Sequence, residues 1–193
     1  MHLRQNLIVA VGMTVATTVL YGLIYPLLMT AAAQLFFPEK ANGQLVVRDG
    51  VAIGSAILAQ PFTRPEYFHP RPSAAGANGY DPTSTGGTND GPTNKKLIDA
   101  VAERTRAAEA ENPGVPVPID LVTASASGLD PDLSPASALF QVPRVAKARG
   151  ISADALRALV AASTTPRQFG VLGEPTVNVL RLNLALDARF PAR

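Results

Sequence analysis

Apolar and polar positions divide this chain sharply into two kinds of segment. Residues 7–37, LIVAVGMTVATTVLYGLIYPLLMTAAAQLFF, carry no ionisable side chain apart from tyrosines. As a helix this run would extend about 45 Å, against a hydrocarbon core of about 30 Å. It predicts a membrane-spanning helix over 7–37, preceded by a stub at residues 1–6. A cleaved signal peptide is the rival reading, with Ala31, Ala32 and Ala33 as the cleavage site. A signal core covers only about 7–15 residues, so a retained anchor that crosses once is the expectation. Thr14, Thr18, Gly22 and Pro26 recur at four-residue spacing and lie near one helix face. Small and hydroxyl residues in such a row let a partner helix approach closely, although threonine and glycine are common in membrane helices anyway. Pro26 removes an N–H and predicts a kink.

Pro38 breaks this helix, and beyond it the period changes. QLVV (44–47), a turn at Asp49-Gly50 and VAIGSAILAQ (51–60) predict strand, hairpin turn and strand. Residues 61–92 are rich in Pro, Gly, Ser, Thr and Asn, a length that normally means disorder or a functional loop. Phe62, Tyr67, Phe68 and Tyr80 give this stretch aromatic surface to bury, so an ordered loop is expected, with Tyr67 and Phe68 as core anchors. A helix is predicted over 94–112, with Leu97, Ile98, Val101 and Ala108 on one side and Pro113-Gly114 after its end. IDLVTA (119–124) reads as a short strand. Ser134-Pro135 supplies an N-cap and a first-turn proline for a helix that Gly150 terminates. Ser152 caps another helix reaching about residue 162, and residues 177–190 form the last, with Val179, Leu182 and Leu186 in its apolar stripe. The fold class expected is α+β: one N-terminal transmembrane helix, then a single mixed α+β globular domain over 38–193.

Charge and composition narrow the partners. Seventeen basic residues against 15 acidic leave a formal +2, and no Lys/Arg stripe suggests nucleic acid. Charged residues are 17% of the chain, below the roughly 25% usual for soluble proteins, which fits a segment facing lipid. The absence of cysteine removes disulfides, thiolate nucleophiles and Cys-based zinc sites. Arg4 precedes the span, while Lys40 and Arg48 follow it beside Glu39 and Asp49, so flanking charge gives no firm orientation. The simplest arrangement keeps the short N-terminus cytoplasmic and places the domain outside the cell.

Catalytic constellations are hard to find. Gly86 and Gly91 have the spacing of a phosphate-binding loop, but Pro92-Thr93 stand where Lys and Ser/Thr are needed. His2 and His69 lack a partner at metal-ligand spacing, so no metal site is expected. Ser125 and Ser127 lack the G-x-S-x-G turn, and no carboxylate pair is forced together. No catalytic residue is identified, and the chain is not expected to be an enzyme by itself. SASGLDP (125–131) is the most suggestive stretch: small hydroxyls and a glycine ahead of a helix can cradle phosphate, and they equally make an ordinary turn.

A set of segments in fixed order resembles one family. YFHPRPSA (67–74), Tyr80-Asp81, TNDGPTN (88–94), DLVTASASGLDP (120–131), QVPRVAKARG (141–150) and GEPTVNVL (173–180) look like the C subunit of the bacterial Kdp potassium-transporting ATPase. The likeness covers roughly residues 7–187, and the order of the segments is more specific than any one of them. It implies a place in the bacterial inner membrane, in a complex with three partners. These are a channel-like subunit that binds K⁺, a P-type ATPase subunit that hydrolyses ATP, and a small peptide subunit. The implied role is to stabilise that assembly, and also to raise the ATP affinity of the ATPase subunit as a catalytic chaperone. K⁺ would be carried by a partner, and ATP reached through the complex, with no cofactor held firmly by this chain.

Two readings of the polar residues stay open. In the chaperone reading Ser125, Ser127 and Gly128 resemble the signature loop of ATP-binding cassette proteins, and Gln141 and Arg144 would reach ribose and phosphate. In the other, Gly128 makes a turn, Asp130 and Ser134 make local caps, and Gln141 satisfies the Leu139 carbonyl freed by Pro143. Arg71, Asn89 and Asn94 would either dock a partner subunit or lace the long loop onto its own domain. A domain outside the cell would meet no ATP, and would instead lie over the ion entrance of the channel-like subunit.

Overall fold

The structure, a computed structural model, describes residues 2–191. Met1 of the expected stub, and residues 192–193 of the expected domain, lie outside the described residues. The chain divides into two compact units, one ending at Leu45 and the other beginning at Val46.

The first unit is a nearly continuous helix. Segment α1 (Leu3–Val19) runs into a π-helical turn at Leu20–Ile24 and then into α2 (Tyr25–Phe36). Pro26 cannot donate to the Gly22 carbonyl, and the ladder widens just before it: the Tyr25 N–H bonds Leu20 O, five residues back. Leu3–Phe36, 34 residues, is long and apolar enough to cross a membrane. The run breaks at Phe37, whose extended φ of −139° precedes a one-turn helix, α3 (Pro38–Ala41). Paired amide bonds between Gln34 and Asn42, at 3.2 and 3.3 Å, fasten this turn to the helix end.

The second unit opens within a hairpin of β1 (Leu45–Arg48) and β2 (Val51–Ser55), of which only Leu45 falls in the first unit. Asp49 and Gly50 both have positive φ, 52° and 79°, as the tight turn of a right-twisted hairpin requires. Its core is built from three helices: α5 (Pro135–Arg149), α6 (Ala153–Ala162) and α7 (Val179–Arg189). These pack on a small antiparallel sheet, ordered β3 (Asp132–Leu133), β5 (Thr176–Asn178), β4 (Thr164–Thr165). Leu133 and Thr164 both lie opposite Val177, from its two sides. Val142, Val145, Leu156, Val160, Val177, Leu182 and Leu186 form the buried centre, with Phe68 contributed by the long loop. Caps set the helix starts as read from sequence: Ser134 accepts from Ser137 N, and Ser152 from Ala155 N.

Two elements differ from expectation. Residues 119–124 are not a strand: Ile119–Leu121 is a 3₁₀ turn, with Leu121 N bonded to Pro118 O and Val122 N to Ile119 O. The small sheet, ordered β3-β5-β4, is complete without this segment, whose backbone bonds are made within the turn. The last helix begins at Val179, because residues 176–178 are the central strand. Asn178 ends that strand and caps α7 by accepting from Arg181 N at 3.1 Å.

Helix α4 (Lys95–Glu111) follows the long loop and starts at Asn94, whose side chain accepts from Lys96 N at 2.9 Å. The loop before it has almost no regular structure, yet Phe68 is fully buried. Side chains from the helices and the backbone of residues 125–128 hold it.

Candidate functional site

Two neighbouring residues of the loop are gripped in the same way. Asn183 on α7 accepts from Phe68 N and donates to Phe68 O, both at 2.9 Å. Gln141 on α5 accepts from His69 N at 2.8 Å and donates to His69 O at 3.1 Å. A side-chain amide carries one acceptor and a donor pair, so each imitates a neighbouring strand for a segment that has none. Both amides are buried, and leaving such a pair unmade would orphan two backbone groups.

Arg144 extends this grip. Its Nε donates to Glu111 Oε1 (2.9 Å), Nη1 to Pro65 O (2.7 Å) and Tyr67 O (2.9 Å), and Nη2 to Gln141 Oε1 (2.6 Å). The guanidinium thus ties α4, the loop and α5 at one point. Contrary to the expectation drawn from the proline in α5, the Gln141 amide bonds no Leu139 carbonyl; beyond His69 its nitrogen approaches Ser137 O at 3.4 Å. The helix geometry explains this: Ser137 is one turn back, directly beneath Gln141.

Beside this cluster lies a cleft of about 410 Å³ lined by Phe62, His69, Tyr80, Arg104, Glu111 and Gln141, among others. Burial, and after it the charge of Arg144, lowers the His69 pKa below its ordinary 6.5, against the bond that His69 Nε2 makes to Arg64 O. Burial pushes the Tyr80 phenol up, so it stays a donor, to Arg71 O at 2.8 Å.

SASGLDP lines a different, open cleft of about 730 Å³, together with Arg71, Thr85 and Ile57. Its backbone clasps the loop. Ser125 N bonds Pro72 O, Gly86 N bonds Ser127 O at 2.9 Å, and Ser73 Oγ donates to Gly128 O at 2.5 Å. Gly128 itself has φ +69°, and its N–H turns back to Ser125 O at 3.3 Å. Ser127 Oγ accepts from Leu129 N, and Asp130 Oδ1 from Asp132 N, as an ordinary turn would have it. Arg71 Nη1 meets Asp130 Oδ2 at 2.8 Å and adds an ion pair to the same seam. Asn89, exposed with φ +52°, bonds Gly87 O, and Asn94 bonds Asp90.

The structure therefore joins Arg144 to Gln141 by a hydrogen bond, and Gln141 lines one cleft while Ser125 and Ser127 line another; neither Arg144 nor Gly128 lines its neighbours' cleft. In the membrane-length unit, an ideal Cβ on Gly22 would rest 3.8 Å from Thr18 Cγ2, so those two share a face. The Thr14 hydroxyl donates to Ala10 O at 2.8 Å. Among the described residues no group of three acidic, histidine or cysteine side chains is placed to hold a metal ion.

Sequence reading missed Asn183, Arg149 and Asp120. Asn183 left a trace, since it interrupts an apolar stripe, and a buried amide needs a partner. Asp120 gathers Ser134 N (2.9 Å), Ser134 Oγ (3.1 Å) and Ser137 Oγ onto one carboxylate. Burial opposes its ionisation, but the hydrogen bonds from Ser137 and Ser134 outweigh it and hold the pKa below 3.8.

Acid should loosen the domain in two stages. His69 binds its proton at lower pH when folded, so the unfolded chain holds more protons from 6.5 downward, and stability falls until the folded pKa is passed. Asp120 adds a second loss as pH drops below 3.8 through its depressed folded value. The melting temperature is expected to decline between pH 7 and 5, less so in His69→Gln. A wild-type curve flat over that range would contradict the assignment.

One helix of membrane length and apolarity, followed by an α+β domain, defines the class structurally: a single candidate membrane span with one appended domain. The comparisons identify which. The chain belongs to the KdpC family, K⁺-transporting ATPase, c chain, whose sequence model matches residues 7–188. It is 59% identical over 189 residues to the potassium-transporting ATPase KdpC subunit of Koribacter versatilis, covering 98% of this chain and 97% of that one. It is 58% identical to the KdpC subunit of Gemmatimonas aurantiaca, over 97% of this chain and 92% of the relative. A KdpC subunit of Rhodopseudomonas palustris is 54% identical, over 93% and 96%.

Proposed function

We propose that this chain stabilises the assembly of a potassium-transporting ATPase, joining a channel-like K⁺-binding subunit, a P-type ATPase subunit and a small peptide subunit. The observation that carries the reading is the anchor: a predominantly apolar helix of 34 residues exposed to its surroundings, with Thr18 and Gly22 adjoining on one face. A bare tether needs no such face, whereas a helix packed on another gains from small residues there. The N-terminus is cytoplasmic and the domain lies outside, over the ion entrance of the channel-like subunit. Any effect on ATP affinity then travels through the ATPase subunit. The direct alternative, ATP held by Gln141 and Arg144, is weakened by their bonds to Pro65, Tyr67 and His69 of the loop.

The test is copurification of the tagged full chain with the other subunits from detergent. Thr18→Leu with Gly22→Leu is expected to cut recovery severalfold, and unchanged recovery would remove the helix-face part. In the same cells a single cysteine at Asp90, unique in a chain with no native cysteine, should react with a membrane-impermeant reagent. Protection of that cysteine until lysis would overturn the sidedness.

A further inference from the structure

Between β4 and β5 the chain leaves the sheet and forms a narrow finger. Gln168 and Leu172 exchange backbone hydrogen bonds, both at 2.9 Å, and Gly170 N bonds Arg167 O at 3.1 Å. Arg167 and Glu174 pair across its neck at 2.5 Å. At the tip Phe169 is 92% exposed, Val171 72% and Leu172 56%. Phe169 and Gly170 both have positive φ, 52° and 76°. This left-handed pair suits Asn-Gly, whereas a bulky aromatic there is strained. The fold thus tolerates strain while displaying a ring that none of the described residues covers.

Three observations choose the occupant. Within residues 163–180 the only charges are Arg167 and Glu174, which cancel. A surface made for anionic lipid would carry excess Lys or Arg. One aromatic side chain offers about 150–250 Å², so the tip falls far short of the roughly 800 Å² per partner that a free-standing dimer needs. Such a contact is effective only where another interface already holds the partner nearby. A rigid, pre-formed aromatic anchor is also the kind of group that fills a pocket at little ordering cost.

We propose that Phe169, with Val171 and Leu172, is a docking finger that fills an apolar pocket on a subunit of the ATPase complex which the anchor helix already engages. This rests on the assembly reading above. Phe169→Asn removes the ring while placing at that position a residue suited to its φ, so the domain should melt no lower than wild type. Co-expressed with the partner subunits, that variant is expected to release them about tenfold faster during washing. A fluorophore on Val171→Cys of the full chain should shift to the blue when the partners are present. It should not shift in vesicles of phosphatidylcholine and phosphatidylglycerol that hold this chain alone. Equal retention by Phe169→Asn overturns the finger, and a blue shift in vesicles alone assigns the tip to the bilayer instead. If the wild-type chain itself fails to retain partners, it is the assembly reading that falls.

Discussion

Arg149→Ala is expected to lower the stability of the domain by about 3–5 kcal/mol, the range for breaking a buried ion pair by removing one partner. Only 2% of the Arg149 side chain is exposed. Its Nη2 donates to Asp187 Oδ1 at 2.7 Å, Nε to Glu66 O at 2.8 Å and Nη1 to Phe190 O at 2.8 Å. The guanidinium also lies 4.8 Å from the centre of the Tyr67 ring, and Tyr67 OH donates to the other Asp187 oxygen. One cation therefore joins the loop, the end of α5 and the end of α7. Alanine would leave a carboxylate without its counter-charge, two carbonyls without donors and a void beneath Tyr67. Lysine should restore only part, because one ammonium cannot spread its donors over three acceptors as a planar fork does. Urea unfolding of the full chain in detergent, followed by tyrosine fluorescence since there is no tryptophan, reads the loss. An unfolding free energy within about 1 kcal/mol of wild type would refute it.

Gly128→Ala is the second large effect, about 2–5 kcal/mol. The left-handed backbone costs an L-residue about 1–2 kcal/mol, and overfilling a packed site adds about 1–3. Here the added Cβ would come within 2.7 Å of Ala75 N and Cβ, and 2.8 Å of Gly86 O. Two of those atoms are backbone, so relief requires the 72–86 segment to lift off the SASGLDP seam. Limited proteolysis should then cut within residues 72–92 much faster than in wild type. The nucleotide reading predicts something else, a change in ATP affinity with the loop still protected. Protection equal to wild type would show that Gly128 is not a clasp.

The hairpin at Asp49-Gly50, the caps at Ser134 and Ser152 and the helix end at Gly150 were all legible, because each depends on atoms a few residues apart. Residues 119–124 misled for the same reason. IDLVTA is β-prone in isolation, but its backbone groups are taken locally, Leu121 N by Pro118 O and Val122 N by Ile119 O. The start of the last helix was misplaced similarly, since Val177 fits a helical stripe as well as a strand until β3 and β4 are seen on either side of it.

By itself the sequence determined the membrane-length helix, the α+β class, the capped helices and the family. Hydrophobic length, side-chain period and local capping are properties of neighbouring residues and need no folded context. Only the tertiary structure decided what the polar residues do. Gln141 meets His69 across 72 positions and Asn183 meets Phe68 across 115. No local rule encodes such pairings. They exist because a loop without a sheet must still satisfy its buried backbone, and two packed helices, α5 and α7, bring amides and a guanidinium within reach.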